Sequence, residues 1–149
     1  MSTFTQIYLQ LVFSTQNRDP VLFKDYRDRL YKYMIAIIQN HKHKVLSIGG
    51  TEDHVHIFIG YHQTQLVPNL ITHVKRDTTI WIKDNKFVKC RFSWQEGYGA
   101  FSYGKSQIND VIKYINNQEE HHKKHTFKDE YRAFLDKYGI DYDERYIFQ

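Results

Sequence analysis

His54-Val55-His56 opens a short apolar run that continues as Ile57-Phe58-Ile59. Side chains alternate between faces along a β-strand, so the two imidazoles share one face while Val55, Ile57 and Ile59 share the other. Two imidazoles held side by side on a rigid strand can bind a divalent metal, and burying both without partners would be costly. Further along, Tyr114 and Gln118 stand one helical turn apart, on the edge of an apolar stripe made by Ile108, Val111, Ile112 and Ile115. Gln118 can add a neutral carbonyl oxygen to the two imidazoles, leaving an ion its full charge for polarising a phosphodiester oxygen. Such hard oxygen-binding substrates favour Mg2+ or Mn2+ over a closed zinc site. A phenol with a pKa of about 10 attacks poorly at neutral pH, and a polarised phosphate lowers that demand.

The same residues admit plainer readings. His-x-His also describes two surface histidines on a half-exposed strand, and no further His or Cys stands out as a third ligand. A tyrosine at the margin of a helix stripe is commonly a boundary residue with a wet hydroxyl, and with twelve tyrosines in the chain no single one is distinctive. Asp53 either orients the His54 imidazole or shapes the turn before it.

The elements that must position these groups follow from local pattern. Ile7 to Phe13 is β-branched and apolar enough for a buried first strand. Lys24 to Asn40 has helical spacing, with Tyr26, Leu30, Tyr33, Met34, Ile37 and Ile38 in one stripe. Val45 to Ile48 and His54 to Ile59, joined through Gly49-Gly50 and Thr51-Glu52-Asp53, predict an antiparallel hairpin. Pro68 suits the first turn of a helix running to about Lys83. A short strand is expected around Phe92 to Gln95, a third helix from about Gln107 to His122, and a fourth from Thr126 to about Tyr138, closed by Gly139. The order strand–helix–strand–strand–helix–strand predicts an α+β, ferredoxin-like antiparallel sheet with its helices on one face, followed by a C-terminal tyrosine-bearing helix. If the helices cover Val55, Ile57 and Ile59, the two histidines lie on the opposite, open face.

At 149 residues, 41% hydrophobic and 26% charged, the chain is sized for one domain over 1–149, with 139–149 a docked or frayed tail. A net charge of +4 with 16% aromatics leans towards nucleic acid, because phosphates attract cations and unpaired bases stack on flat faces. Lys75, Arg76, Lys105 and His121 are candidates for phosphate contact, although solvated surface charge accounts for any one basic run as well. The single Cys90 excludes an internal disulfide or a multi-cysteine zinc site and fits a reducing cytoplasm. No signal peptide, membrane-length apolar run or Gly-rich nucleotide loop is present, so a soluble, cytoplasmic protein without a membrane partner or nucleotide cofactor is expected.

Val111-Ile112-Lys113-Tyr114-Ile115-Asn116-Asn117-Gln118-Glu119-Glu120-His121-His122 resembles the signature helix of the HUH single-tyrosine transposases of small bacterial insertion sequences, which include relatives acting on repeated extragenic palindromes. Asp53-His54-Val55-His56 is similar to that family's His-hydrophobe-His motif, and Trp94 to Ser102 to its characteristic loop, all in the same order over roughly residues 4–135. The resemblance implies a DNA transposase that cleaves and rejoins single-stranded, hairpin-bearing DNA by transesterification. Tyr114 would form a 5′-phosphotyrosine link and release a 3′-hydroxyl, with His54, His56 and Gln118 holding Mg2+ or Mn2+. It also implies a homodimer, in which the tyrosine helix serves its own chain or its partner. A silent single-strand-binding module on the same sheet, or a domesticated nuclease acting on genomic palindromic repeats, are the alternatives.

Overall fold

The computed structural model describes residues 2–149. Its regular elements are β1 (Tyr8–Ser14), α1 (Lys24–Asn40), β2 (Lys44–Gly50), β3 (His54–Gly60), α2 (Val67–Asp84), β4 (Gly99–Tyr103), α3 (Ile108–Asn116), α4 (Gln118–His121) and α5 (Phe127–Lys137). The four strands form one sheet in the order β2-β3-β1-β4, each pair antiparallel. The first six elements therefore have the ferredoxin-like βαββαβ arrangement.

Strand periodicity divides the sheet into two unlike faces. Leu11 and Phe13 of β1, with Val55, Ile57 and Ile59 of β3, meet Leu30, Met34 and Ile38 of α1 and Leu70, Ile71, Val74 and Ile82 of α2 in one buried cluster. Each such side chain contributes roughly 1.5–3 kcal/mol by leaving water. Gln10, Val12, His54, His56 and Phe58 point to the other face. That face is not open as expected. Phe58 packs on Val111 and Ile115 of α3, and Val12 and Phe101 pack on Phe127, Tyr131 and Leu135 of α5. The apolar stripes of α3 and α5 need a partner surface, and these back-face side chains supply it. His54 and His56 are consequently 0% exposed.

Two expected elements differ in position. The fourth strand is Gly99–Tyr103, which pairs with β1 from Tyr8↔Tyr103 to Val12↔Gly99, not the segment around Phe92 to Gln95. There, Trp94 makes a single bridge to Thr15 and then serves the core, edge-on to Phe13 at 5.0 Å with its Nε1 donating to Thr78 Oγ1 at 2.9 Å. The expected helix from Gln107 to His122 is broken at Asn117 (φ −101°, ψ 16°), where α3 ends and the single turn of α4 begins. Thr126 caps α5 by accepting from Asp129 N at 3.2 Å, and Gly139 leaves it with φ +64°, a left-handed conformation that favours glycine. In the tail, Ile147 and Phe148 pack on the α5 cluster, and Gly97 N donates to Gln149 O at 2.8 Å.

Gly49 controls how closely α3 approaches the sheet. It is the register partner of His56, and a Cβ added there would sit 2.7 Å from the Ile115 carbonyl oxygen. Gly49→Ala is expected to push α3 outward and destabilise the fold by about 1–3 kcal/mol, the usual overpacking cost. Thermal unfolding that leaves Tm unchanged would show that α3 has room to move.

Candidate active site

Each imidazole is fixed from behind. His54 Nδ1 lies 2.7 Å from Asp53 Oδ1 and 3.1 Å from Thr51 Oγ1, so the hairpin turn itself orients the ring. Asp53 thus both shapes the turn and holds the histidine. Burial works against its charge, but the hydrogen bond and charge of His54 outweigh it and hold the carboxyl below its usual range. His56 Nδ1 lies 2.7 Å from Gln10 Oε1, and Gln10 Nε2 donates to Tyr103 OH at 2.8 Å. Phe127 stacks on the His54 ring at 4.7 Å.

With their Nδ1 atoms occupied by acceptors, both rings turn Nε2 towards the covering helices. His54 Nε2 lies 2.9 Å from Gln118 Oε1, and His56 Nε2 lies 2.9 Å from Glu130 Oε1. The break at Asn117 leaves Gln118 buried, with its Nε2 donating to Glu130 Oε2 at 3.1 Å. The same Oε2 accepts a short hydrogen bond from Tyr114 OH, and His121 Nε2 is 3.4 Å from it. His122 Nε2 is 3.2 Å from Glu130 Oε1.

Burial opposes ionisation of Glu130, yet the imidazoles around it, His56 first and then His122 and His54, hold its carboxyl far below the usual range. Burial also lowers the affinity of His56 for a proton, although Glu130 opposes this. The Tyr114 phenol is pushed well up, by burial first and then by the Glu130 charge beside it. A cavity of about 500 Å3 lies against this group, with Tyr114, Glu130, Gln10, Tyr103 and Phe134 in its wall.

The structure therefore gathers His54, His56, Gln118, Tyr114 and His121 in one place, all from a single chain. Lys75, Arg76 and Lys105 are engaged or placed otherwise. Lys75 Nζ donates to the carbonyl oxygens of Gln95 (2.7 Å), Gly97 (2.7 Å) and Glu96 (3.3 Å) and lies 5.2 Å from the Phe13 ring centre, with its pKa drawn down to about 8 by burial. Arg76 reaches Asp77 Oδ1 at 3.3 Å and His73 Nδ1 at 2.9 Å, and Lys105 is exposed before α3.

Gln10, His122 and Glu130 escaped the sequence reading, and each carried a signal. Gln10 is the one polar residue within an otherwise apolar strand run. Glu130 occupies a stripe position, three residues after Phe127 and one before Tyr131, where a lone carboxylate must find buried partners. His122 lies four residues past Gln118, on the same helical edge.

Fold and site together define an α+β protein with a buried His and Glu donor cluster beside a tyrosine on a ferredoxin-like sheet. Residues 3–118 match the model of the IS200-like transposase family, so the chain belongs to that family and is a DNA transposase. The matched span contains His54, His56, Tyr114 and Gln118 and ends before His122 and Glu130. A solved transposase structure from Deinococcus radiodurans is similar at 17% identity and TM-score 0.65, covering 79% of this chain and 95% of that one. A REP-associated tyrosine transposase bound to a REP hairpin is similar at 13% identity and TM-score 0.62, covering 82% and 74%. These two likenesses bear on the fold. No curated protein matches in sequence. Among the described residues, no helix is long and apolar enough to cross a membrane.

The carbonyl contacts make Lys75 an anchor for the 95–97 loop. Lys75→Met is expected to cost about 1–3 kcal/mol of stability, the range for stranding buried acceptors. It should leave DNA affinity at constant salt nearly unchanged. A fall in DNA affinity at unchanged Tm would instead assign Lys75 to phosphate.

Proposed function

We propose that this transposase is a single-tyrosine enzyme of the HUH type, cleaving and rejoining single-stranded, hairpin-bearing DNA with Tyr114 as nucleophile. The observation that carries this reading is the meeting, within one chain, of Tyr114 and Gln118 with the His54 and His56 pair through Glu130.

His54, His56 and Gln118 are the residues that would hold a divalent ion. The donor set suits one, because a neutral imidazole nitrogen and a carbonyl oxygen at 2.9 Å otherwise face each other as two acceptors. When bound, the ion supplies charge that polarises the scissile phosphate. Glu130 Oε2 accepts the hydrogen bond of the Tyr114 hydroxyl and orients it, and the phenolic oxygen attacks phosphorus as the bond to the 3′ oxygen breaks. The products are a 5′-phosphotyrosine and a 3′-hydroxyl, so the proton lost by the phenol balances the one the leaving oxygen gains. Attack on that link by a 3′-hydroxyl reverses the bookkeeping and rejoins DNA without ATP. The adjoining cavity offers space for the nucleotide beside the scissile phosphate. Exposed and half-exposed groups around the site, His121 among them, would meet its charge. One nucleophilic tyrosine per chain acting on two DNA ends supports a homodimer.

End-labelled single-stranded DNA from the sequences flanking the gene, incubated with Mn2+ and resolved on a denaturing protein gel, tests this. Wild type is expected to carry label, whereas Tyr114→Phe and EDTA-treated wild type fall to background. Label retained by Tyr114→Phe would move the nucleophile elsewhere. Tight DNA retention without any adduct would favour the silent binding module.

A further inference from the structure

We infer that His122 and Glu130 join His54 and His56 as donors to the ion, in a site that selects a transition-metal ion over Mg2+. In this arrangement Glu130 joins the ion to the nucleophile. The inference rests on the reading of the histidine pair as metal-holding and extends it to residues beyond the family-matched span of 3–118.

The donor atoms converge. One ligand atom each from His54, His56, His122 and Glu130 lies within 4.8 Å of the others. Glu130 Oε1 is 2.9 Å from His56 Nε2, 3.2 Å from His122 Nε2 and 3.6 Å from His54 Nε2. A tetrahedral ion with Zn–N bonds of about 2.0–2.1 Å requires donor separations of roughly 3.3–3.4 Å. The three carboxylate-to-imidazole spacings bracket that edge.

Hydrogen bonding gives an independent argument. Asp53 accepts from His54 Nδ1 and Gln10 from His56 Nδ1, which sets both neutral rings with a lone pair on Nε2. Those lone pairs point at a carboxylate oxygen and at Gln118 Oε1, whose orientation is fixed by Gln118 Nε2 donating to Glu130 Oε2. His122 Nε2 is buried and makes no hydrogen bond. With the rings neutral, acceptors thus surround a single point, and a cation there satisfies them together. The second carboxylate oxygen of Glu130 holds the Tyr114 hydroxyl, so one side chain spans ion and nucleophile.

Ligand chemistry sets the preference. Three imidazoles and a carboxylate suit Zn2+ or Mn2+, whereas Mg2+ favours oxygen ligands and retained waters. The order of affinity at this site is therefore Zn2+ over Mn2+ over Mg2+.

Calorimetric titration of the full chain, cleared of metal, with each of the three ions tests this, together with the visible absorption of the Co2+ form. Wild type should bind one equivalent of Zn2+, with Mg2+ at least about a hundredfold weaker. Glu130→Gln and His122→Ala should each weaken Zn2+ by about 10–100-fold and change the Co2+ spectrum. Glu130→Gln preserves side-chain shape, and thermal unfolding of the metal-free variants separates ligand loss from misfolding. If both variants bind as wild type does while His54→Ala and His56→Ala lose the ion, this inference falls and the smaller site stands. If wild type binds none of the ions, both readings fall.

Discussion

Two strand imidazoles are taken wholly out of water, and the back half of the molecule is arranged around the partners this requires. A buried polar group left without a partner costs about 1–3 kcal/mol, so four imidazole nitrogens on adjacent rings could cost most of a domain's net stability. The compensation comes from widely separated parts of the chain: Asp53 from the hairpin turn, Gln10 from β1, Gln118 from α4 and Glu130 from α5. No one of these elements can shift without uncovering a nitrogen. The polar cluster therefore fixes the positions of helices that hydrophobic contact alone would hold less specifically.

The two faces of the sheet divide the labour. The front, against α1 and α2, is apolar and resembles the interior of any small domain. The back interleaves apolar contacts, such as Phe58 with Ile115 and Phe101 with Leu135, with the histidine and carboxylate cluster. Placing the proposed functional groups on strands, with a packed layer on each side, restricts their rotamers more than a loop could. Close approach is part of the same design: Gly49 removes a side chain next to His56, and α3 occupies that space.

Much of this was legible in the sequence because it follows from period. Alternation along β3 separated His54 and His56 from Val55, Ile57 and Ile59, and helical spacing placed Tyr114 and Gln118 on one edge. The first placement is found in the folded chain; in the second the helix breaks at Asn117, and Tyr114 and Gln118 converge on Glu130 Oε2 from α3 and α4. Element order was enough for the sheet topology. What could not be read was which surface the α3 stripe would choose, since Val111 and Ile115 are equally suited to either face of a sheet. For that reason His54 and His56 were expected on an open surface. The fourth strand was misplaced because Phe92 and Trp94 have strand-like composition, whereas their burial comes from filling the core beside Phe13. Glu130 went unnoticed as an isolated acid in a helix, a residue type that is ordinarily solvated.

The register between β1 and β3, with Val12 opposite His56, has a consequence for how the chain finds its fold. A slip of one residue would turn the imidazoles into the leucine- and isoleucine-lined front and set Val55 and Ile57 against a carboxylate. Neither face could tolerate the exchange. Apolar strands of similar composition pair ambiguously, and here the histidines mark one alignment as admissible. The residues proposed for chemistry thus also act as a key that rejects misaligned sheets during folding.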